Sequence, residues 1–488
     1  MRISLSILLL LTTLVSHGQS DYKIKSISSK TKKVVKRIEK INKLMSSAVY
    51  SSGMQPKQWD NFEELKKLAS KEELIELTNH PNGVVRSYSF WALTYNKDID
   101  LFSIVKKHLS DTDTIETQFG CIGGQEMVGD FFIQIMTPQY IDLESEKMAS
   151  KEIKELDSLL IYQPTKLWSR YNAINRAEPI ESLYPKIREL VINENNESAL
   201  ITLAKYKKEQ DIETIINFRE ETEKVEGGFY SAYLAMQQFP RIEYIPLLES
   251  NLKMTLDNTY YSTEWKALYG AIASLKNNKA LELLKIPFTE VQHKDLKKYH
   301  MGFVFNAVMK FQDSIYDNLL WRLWEEEGQR NLKSYRYLLL QNPNKAYELV
   351  KKELIIGYQI EESDFISELE DAESSENLNE LFLNTIIANE KELSNKIIKE
   401  QIENSDVHNL GLYTSKVKQQ IFFIEPLFNR LEKSWNPHIY LILIETLIEF
   451  KDDKINKRIL EVRKQNNKLN EDWGGRALNK LLAENGIE

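Results

Sequence analysis

Beyond residue 60 one theme repeats along the chain: an apolar helical stretch, a short polar break, and a second stretch with apolar residues at i, i+3, i+4 and i+7. The breaks fall near Asn96, Thr137, Asn175, Lys207, Phe239, Lys276, Phe311, Asn342, Asn389, Gln420 and Phe450, most of them 30 to 42 residues apart. Only the interval from Asn342 to Asn389 is clearly longer. A helix pair exposes an apolar face that it cannot bury alone, so each unit must stack on its neighbours and the array grows in one direction. The expectation is an all-α fold, an α-α superhelix of about eleven helix pairs across residues 59–488. At ~8–10 Å between packed helices such an array runs on the order of 100 Å along its curve. Strand-like alternation is nearly absent. With 12 Pro and 17 Gly scattered through 488 residues, no composition shift marks linkers between separate domains.

The clearest copy is His80-Pro81-Asn82-Gly83-Val84-Val85-Arg86, continuing to Trp91-Ala92-Leu93, a break at Asn96-Lys97-Asp98, and a second helix around Ile104, Val105 and Leu109. With Pro81 before the helix, Val85-Arg86 in its first turn and Ala92-Leu93 near its end, this copy resembles the HEAT-repeat family. Ala271-Ile272-Ala273-Ser274-Leu275, followed by Asn278-Lys279-Ala280-Leu281, is a second such copy. The resemblance implies a concave face that holds a protein or peptide. One departure is that His80 and Asn82 stand where the family often has acids before Val-Arg, which puts the usual ladder of Asp–Arg pairs between repeats in doubt. The Trp/Leu-Gly/Tyr pattern of tetratricopeptide repeats is missing.

The first residues read as an export signal in residues 1–18: Arg2, an apolar run from Ile3 to Val15, then Ser16-His17-Gly18 before Gln19. A run of thirteen residues is short for a bilayer core of ~30 Å, and no Cys near that point could carry a lipid. The expected location is the periplasm or outside the cell. Cys121 is the one cysteine, so no disulfide can form within the chain. Against 64 Lys and Arg stand 72 Asp and Glu, a net charge of −8, which repels phosphate polymers and argues against nucleic acid as a partner. The abundance of Lys, Ile, Asn and Glu resembles exported proteins of the Bacteroidetes.

Several segments invite a functional reading. Residues 19–58 form a basic N-terminal segment: Lys23 to Met45 carries nine basic residues, and Val34, Val35, Ile38, Ile41 and Met45 share one helical face. That face can cap the first repeat, or lie on an anionic membrane. Residues 361–376 hold eight acids and no base inside the overlong interval, without the spacing of a calcium loop, and read as a solvated insertion. Residues 226–337 hold 19 of the 50 aromatics. Among them Tyr261, Trp265, Tyr269, Trp321 and Trp324 are the candidate ligand or partner contacts, with repeat core as the competing reading. Phe119 to Asp130 packs four glycines into ten residues, but Gly129-Asp130-Phe131 is not the end of a Walker loop, and close helix contact around a buried thiol is the reading preferred. The seven histidines make no paired metal spacing, and there is no Gly-x-Ser-x-Gly.

These observations lead to the expectation of a non-enzymatic scaffold of the cell envelope that binds a protein or peptide, with no catalytic, cofactor or metal residues assigned. Two other readings stay open. One is a glycan or small-ligand module using the aromatics of 226–337. The other is an enzyme on HEAT repeats whose groups converge from distant repeats.

Overall fold

The computed structural model describes residues 22–138, 142, 144–220, 227–356 and 378–487. The export signal expected at 1–18 and the acidic run 361–376 lie outside these residues. Among the described residues the fold is all-α apart from one small three-stranded sheet. Two compact units divide the chain, residues 1–243 and 244–488.

In the first unit the helices Lys57–Leu68, Gly83–Leu93, Val128–Ile135, Trp168–Asn175, Glu197–Lys205 and Tyr230–Gln238 form a row in which each packs on the next. Their companions Lys71–Leu77, Leu101–Lys107, Ser150–Tyr162 and Tyr184–Glu194 each pack on the row helix that follows them. The reason lies in the sequence of the row. Gly83–Leu93 is mostly apolar, and every residue from Val84 to Leu93 is buried, Arg86, Ser87 and Ser89 included, as a helix with neighbours on every flank must be. Phe62 stacks on Tyr88 at 5.1 Å, and Phe90 on Phe132 at 4.1 Å.

In the second unit Glu264–Ser274 packs on Lys294–Lys310, and Leu332–Gln341 on Leu378–Asn389. Further along, Val407–Thr414, Pro437–Ile448 and Asp472–Glu484 form a row of three. The last helix sits so close to its neighbour that a Cβ on Gly474 would lie 2.0 Å from the Tyr440 hydroxyl, so only glycine fits there. The breaks read from the sequence fall at or just beyond helix ends. Lys207, Lys276 and Lys451 take left-handed backbone there, with φ of 53°, 48° and 53°. Lysines thus fill turn positions that glycine usually takes, which accounts for breaks in a chain sparse in Gly and Pro.

Charged rungs tie successive helix pairs together. Arg86 is 6% exposed and binds Asp111 and Asp113; Arg170 grips Glu194 through two bonds of 2.7 and 3.1 Å; Arg188 meets Asp211 at 3.2 Å. The acids absent before Val85-Arg86 are supplied from 25 and 27 residues downstream.

Two expectations are corrected. The helix Ser29–Ile41 ends at Asn42, which takes φ 49°, so Ile41 is exposed and Met45 belongs to a strand, β1 (Leu44–Val49). The glycine-rich segment is no helix contact around a buried thiol. It is a hairpin of β2 (Thr114–Gly120) and β3 (Ile122–Met127), with Cys121 exposed at its tip. Gly120, at φ 56°, supplies the left-handed residue that a two-residue hairpin turn requires. β1 pairs parallel with β2, and β2 antiparallel with β3.

Candidate functional site

Of the five aromatic candidates, four are core. Trp265, Tyr269, Trp321 and Trp324 are 3%, 0%, 6% and 1% exposed. Trp265 stacks on His300 at 4.3 Å, and the Tyr269 hydroxyl lies 2.7 Å from His300 Nδ1. These four side chains are spent on packing and offer no open face to a ligand. Tyr261 alone remains accessible, 49% exposed and stacked on Tyr299 at 4.6 Å.

The hairpin provides a different surface. Its register pairs Ile115 with Glu126, Thr117 with Gly124 and Phe119 with Ile122. The Val128 N–H bonds to the Asp113 carbonyl, and the Tyr50 N–H to the Gly120 carbonyl. In an antiparallel ladder the bonded pairs alternate, so Ile122, Gly124 and Glu126 direct their main-chain groups to β2. Gly123 and Gln125 direct theirs the other way. The strand order β1-β2-β3 leaves that side as an open edge. Ile122 is 78% exposed, and Gly123, Gly124 and Gln125 are exposed as well. No proline, lysine or bulge guards this edge, the devices by which sheet edges usually avoid pairing. Gln125 also lines a cleft of about 610 Å³, shared with Asn42, Asn82, Thr114 and Glu116. The walls are polar, and the Asn82 side chain caps the helix Gly83–Leu93 there.

At the inner end of β3 stands a pair of carboxylates. Asp130 is 1% exposed and accepts from the Trp168 N–H at 2.9 Å, the Ser169 N–H at 2.9 Å and the Ser169 hydroxyl at 2.6 Å. It caps the helix Trp168–Asn175 from another element. One turn away, Glu126 has a buried Oε1 with no hydrogen-bond partner. Burial and then the nearby Asp130 charge push its carboxyl up to about 7. Such a carboxyl can hold a proton near neutrality. Asp130 has both oxygens engaged by donors and serves as a structural cap.

A second cleft, of about 710 Å³, opens in the other unit between Glu403, Asn404, Asn429, Lys433 and Trp435. Trp435 is 73% exposed at its rim. Among the described residues no group of three or more His, Cys, Asp or Glu side chains could hold a metal ion. None of the described helices is long and apolar enough to cross a membrane.

Sequence reasoning missed the hairpin, Glu126 and Trp435. The hairpin had a signal in Thr114-Ile115-Glu116-Thr117-Gln118-Phe119, which alternates and is rich in β-branched residues before a glycine turn. Neither Glu126 nor Trp435 belongs to any pattern. No protein-family model, curated protein or solved structure matches the chain significantly.

Proposed function

We propose that the chain is a non-enzymatic, HEAT-like binding scaffold of the cell envelope that captures an extended segment of a protein partner along β3. The open edge of that strand carries this reading. Its outward N–H and C=O groups at Gly123 and Gln125 match the needs of one more strand, and the glycines let a foreign backbone come close. Affinity would come from main-chain bonds. Selectivity would come from side chains entering the adjoining polar cleft, where Glu116 favours a basic or amide-bearing residue. The helix rows within each unit and the Pro81/Val85-Arg86/Ala92-Leu93 pattern support the HEAT-like assignment, and the residues 1–18 support export.

Gln125→Pro tests it. The Gln125 N–H points away from β2, so proline removes an edge donor without touching the hairpin's own ladder. A photo-crosslinker attached to Cys121, next to the edge, should trap one stoichiometric partner in the wild type and none in Gln125→Pro, both melting alike. Equal trapping by the two forms would remove β3 from the interface.

The cleft at Trp435 favours a second reading, a glycan-binding module. An exposed indole beside Asn404, Asn429 and Lys433 combines a stacking face with planar and charged hydrogen-bonding groups. Loss of glycan-array binding in Trp435→Ala, with the helical signal intact, would favour it over the peptide reading.

A further inference from the structure

The helix Ser29–Ile41 buries Thr31, Val34, Val35 and Ile38 and packs them on the helices Lys57–Leu68 and Gly83–Leu93. The apolar face is therefore occupied and cannot enter a membrane. The opposite face carries Lys33, Lys36 and Lys40, spaced i, i+3 and i+7, all exposed, with Lys30 and Lys32 on the flanks. Among the described residues none of these five lysines makes an ion pair. Their neighbours do: Arg37 pairs with Glu64, and Lys43 with Glu116 at 4.0 Å. A ridge ~10 Å long thus keeps its whole charge on a chain whose net charge is −8.

We propose that this ridge docks the protein, by charge and without insertion, on the surface of a bilayer containing anionic lipids. The choice of partner follows from the shape and chemistry of the patch. Lysine ammonium groups are flexible point charges with no fixed fork geometry. They are set on the exposed face of a helix, so they fit a surface whose anions can move to meet them better than one with a rigid pattern.

The test is flotation of the purified chain from Gln19 onward with vesicles of phosphatidylcholine alone or mixed with phosphatidylglycerol. Binding is expected only to the mixed vesicles, and 0.5 M salt should release it. The triple variant Lys33→Glu, Lys36→Glu, Lys40→Glu should bind more weakly by at least about 100-fold, because each lysine lost near such a surface is worth roughly a fivefold change in partition and each added carboxylate is repelled. A control with Lys454→Glu, Lys457→Glu and Lys464→Glu, all exposed on the helix Asp453–Gln465, has the same net charge and should bind like the wild type. Equal loss in both triple variants would overturn the proposal, because net charge and not the ridge would then govern binding. Absence of wild-type binding to the mixed vesicles would overturn it too. So would binding to soluble polyphosphate in place of vesicles, which would assign the ridge to a free polyanion.

Discussion

The phenol of Tyr88 meets both main-chain groups of Met45: its oxygen accepts the Met45 N–H at 2.7 Å, and its hydroxyl donates to the Met45 carbonyl at 2.9 Å. A side chain on the central helix of the first unit thereby acts as a neighbouring strand for β1. Tyr88 is fully buried, and burial pushes its hydroxyl well above the usual tyrosine range, so it stays a neutral donor.

Tyr88→Phe keeps the ring stacking and deletes only the hydroxyl. The Met45 N–H and C=O would be left buried without partners, at a cost of about 2–4 kcal/mol. Urea unfolding should show the lower midpoint, and amide exchange should speed up across β1. An unchanged midpoint would mean that Met45 finds other partners.

Asp130 links the end of the hairpin to the helix Trp168–Asn175 through three accepted hydrogen bonds. Asp130→Ala should cost about 2–4 kcal/mol, the range of a lost cap plus the exposed need of its buried donors. Asp130→Asn, which keeps one acceptor oxygen, should cost less than the alanine variant. Chemical denaturation of the two variants side by side checks the order.

Two buried imidazoles make the fold sensitive to acid. Burial, and for His80 also the Arg86 charge, lowers His80 and His300 to about 4. Between pH 6.5 and 4 the unfolded chain binds protons that the folded one refuses. Their contribution is therefore complete above pH 6.5 and is lost as pH falls toward 4, by roughly 3 kcal/mol for the fully buried His300. In His300→Phe the acid limb of the melting temperature against pH should be flatter. A limb identical to the wild type would assign the acid sensitivity elsewhere.

Glu126 acts in the opposite direction. With its folded value raised to about 7, the folded state binds more protons than the unfolded one between pH 4.5 and 7, so stability falls as pH rises through that window. Glu126→Gln should raise the melting temperature at pH 8 and leave it nearly unchanged at pH 4. A gain of equal size at both values would show that packing, not ionisation, is responsible.

How much of this was legible depends on how local the information is. Helices such as Gly83–Leu93 and Asn278–Lys285 show in the sequence because apolar spacing and caps act over a few residues, as when Asn82 accepts the Val85 N–H and Asn277 the Ala280 N–H. The buried face of Ser29–Ile41 was readable for the same reason. The strand at Leu44–Val49 was not, because its partner β2 lies some seventy residues away and its outer groups are met by Tyr88. The aromatic richness of 226–337 was visible, but whether Trp265 faces water or His300 is set by a helix some thirty residues downstream.

The amino-acid sequence by itself determined the helical class, the positions of the breaks and the segregation of basic charge at one end. All three follow from periodicity and composition within single turns or segments. Only the tertiary structure decided which aromatic residues are core, that the glycine-rich stretch is a hairpin with an open edge, and that a carboxylate oxygen of the half-buried Glu126 is buried near Asp130. Those outcomes depend on non-local contacts, where the environment of a side chain is supplied by residues far away in the chain.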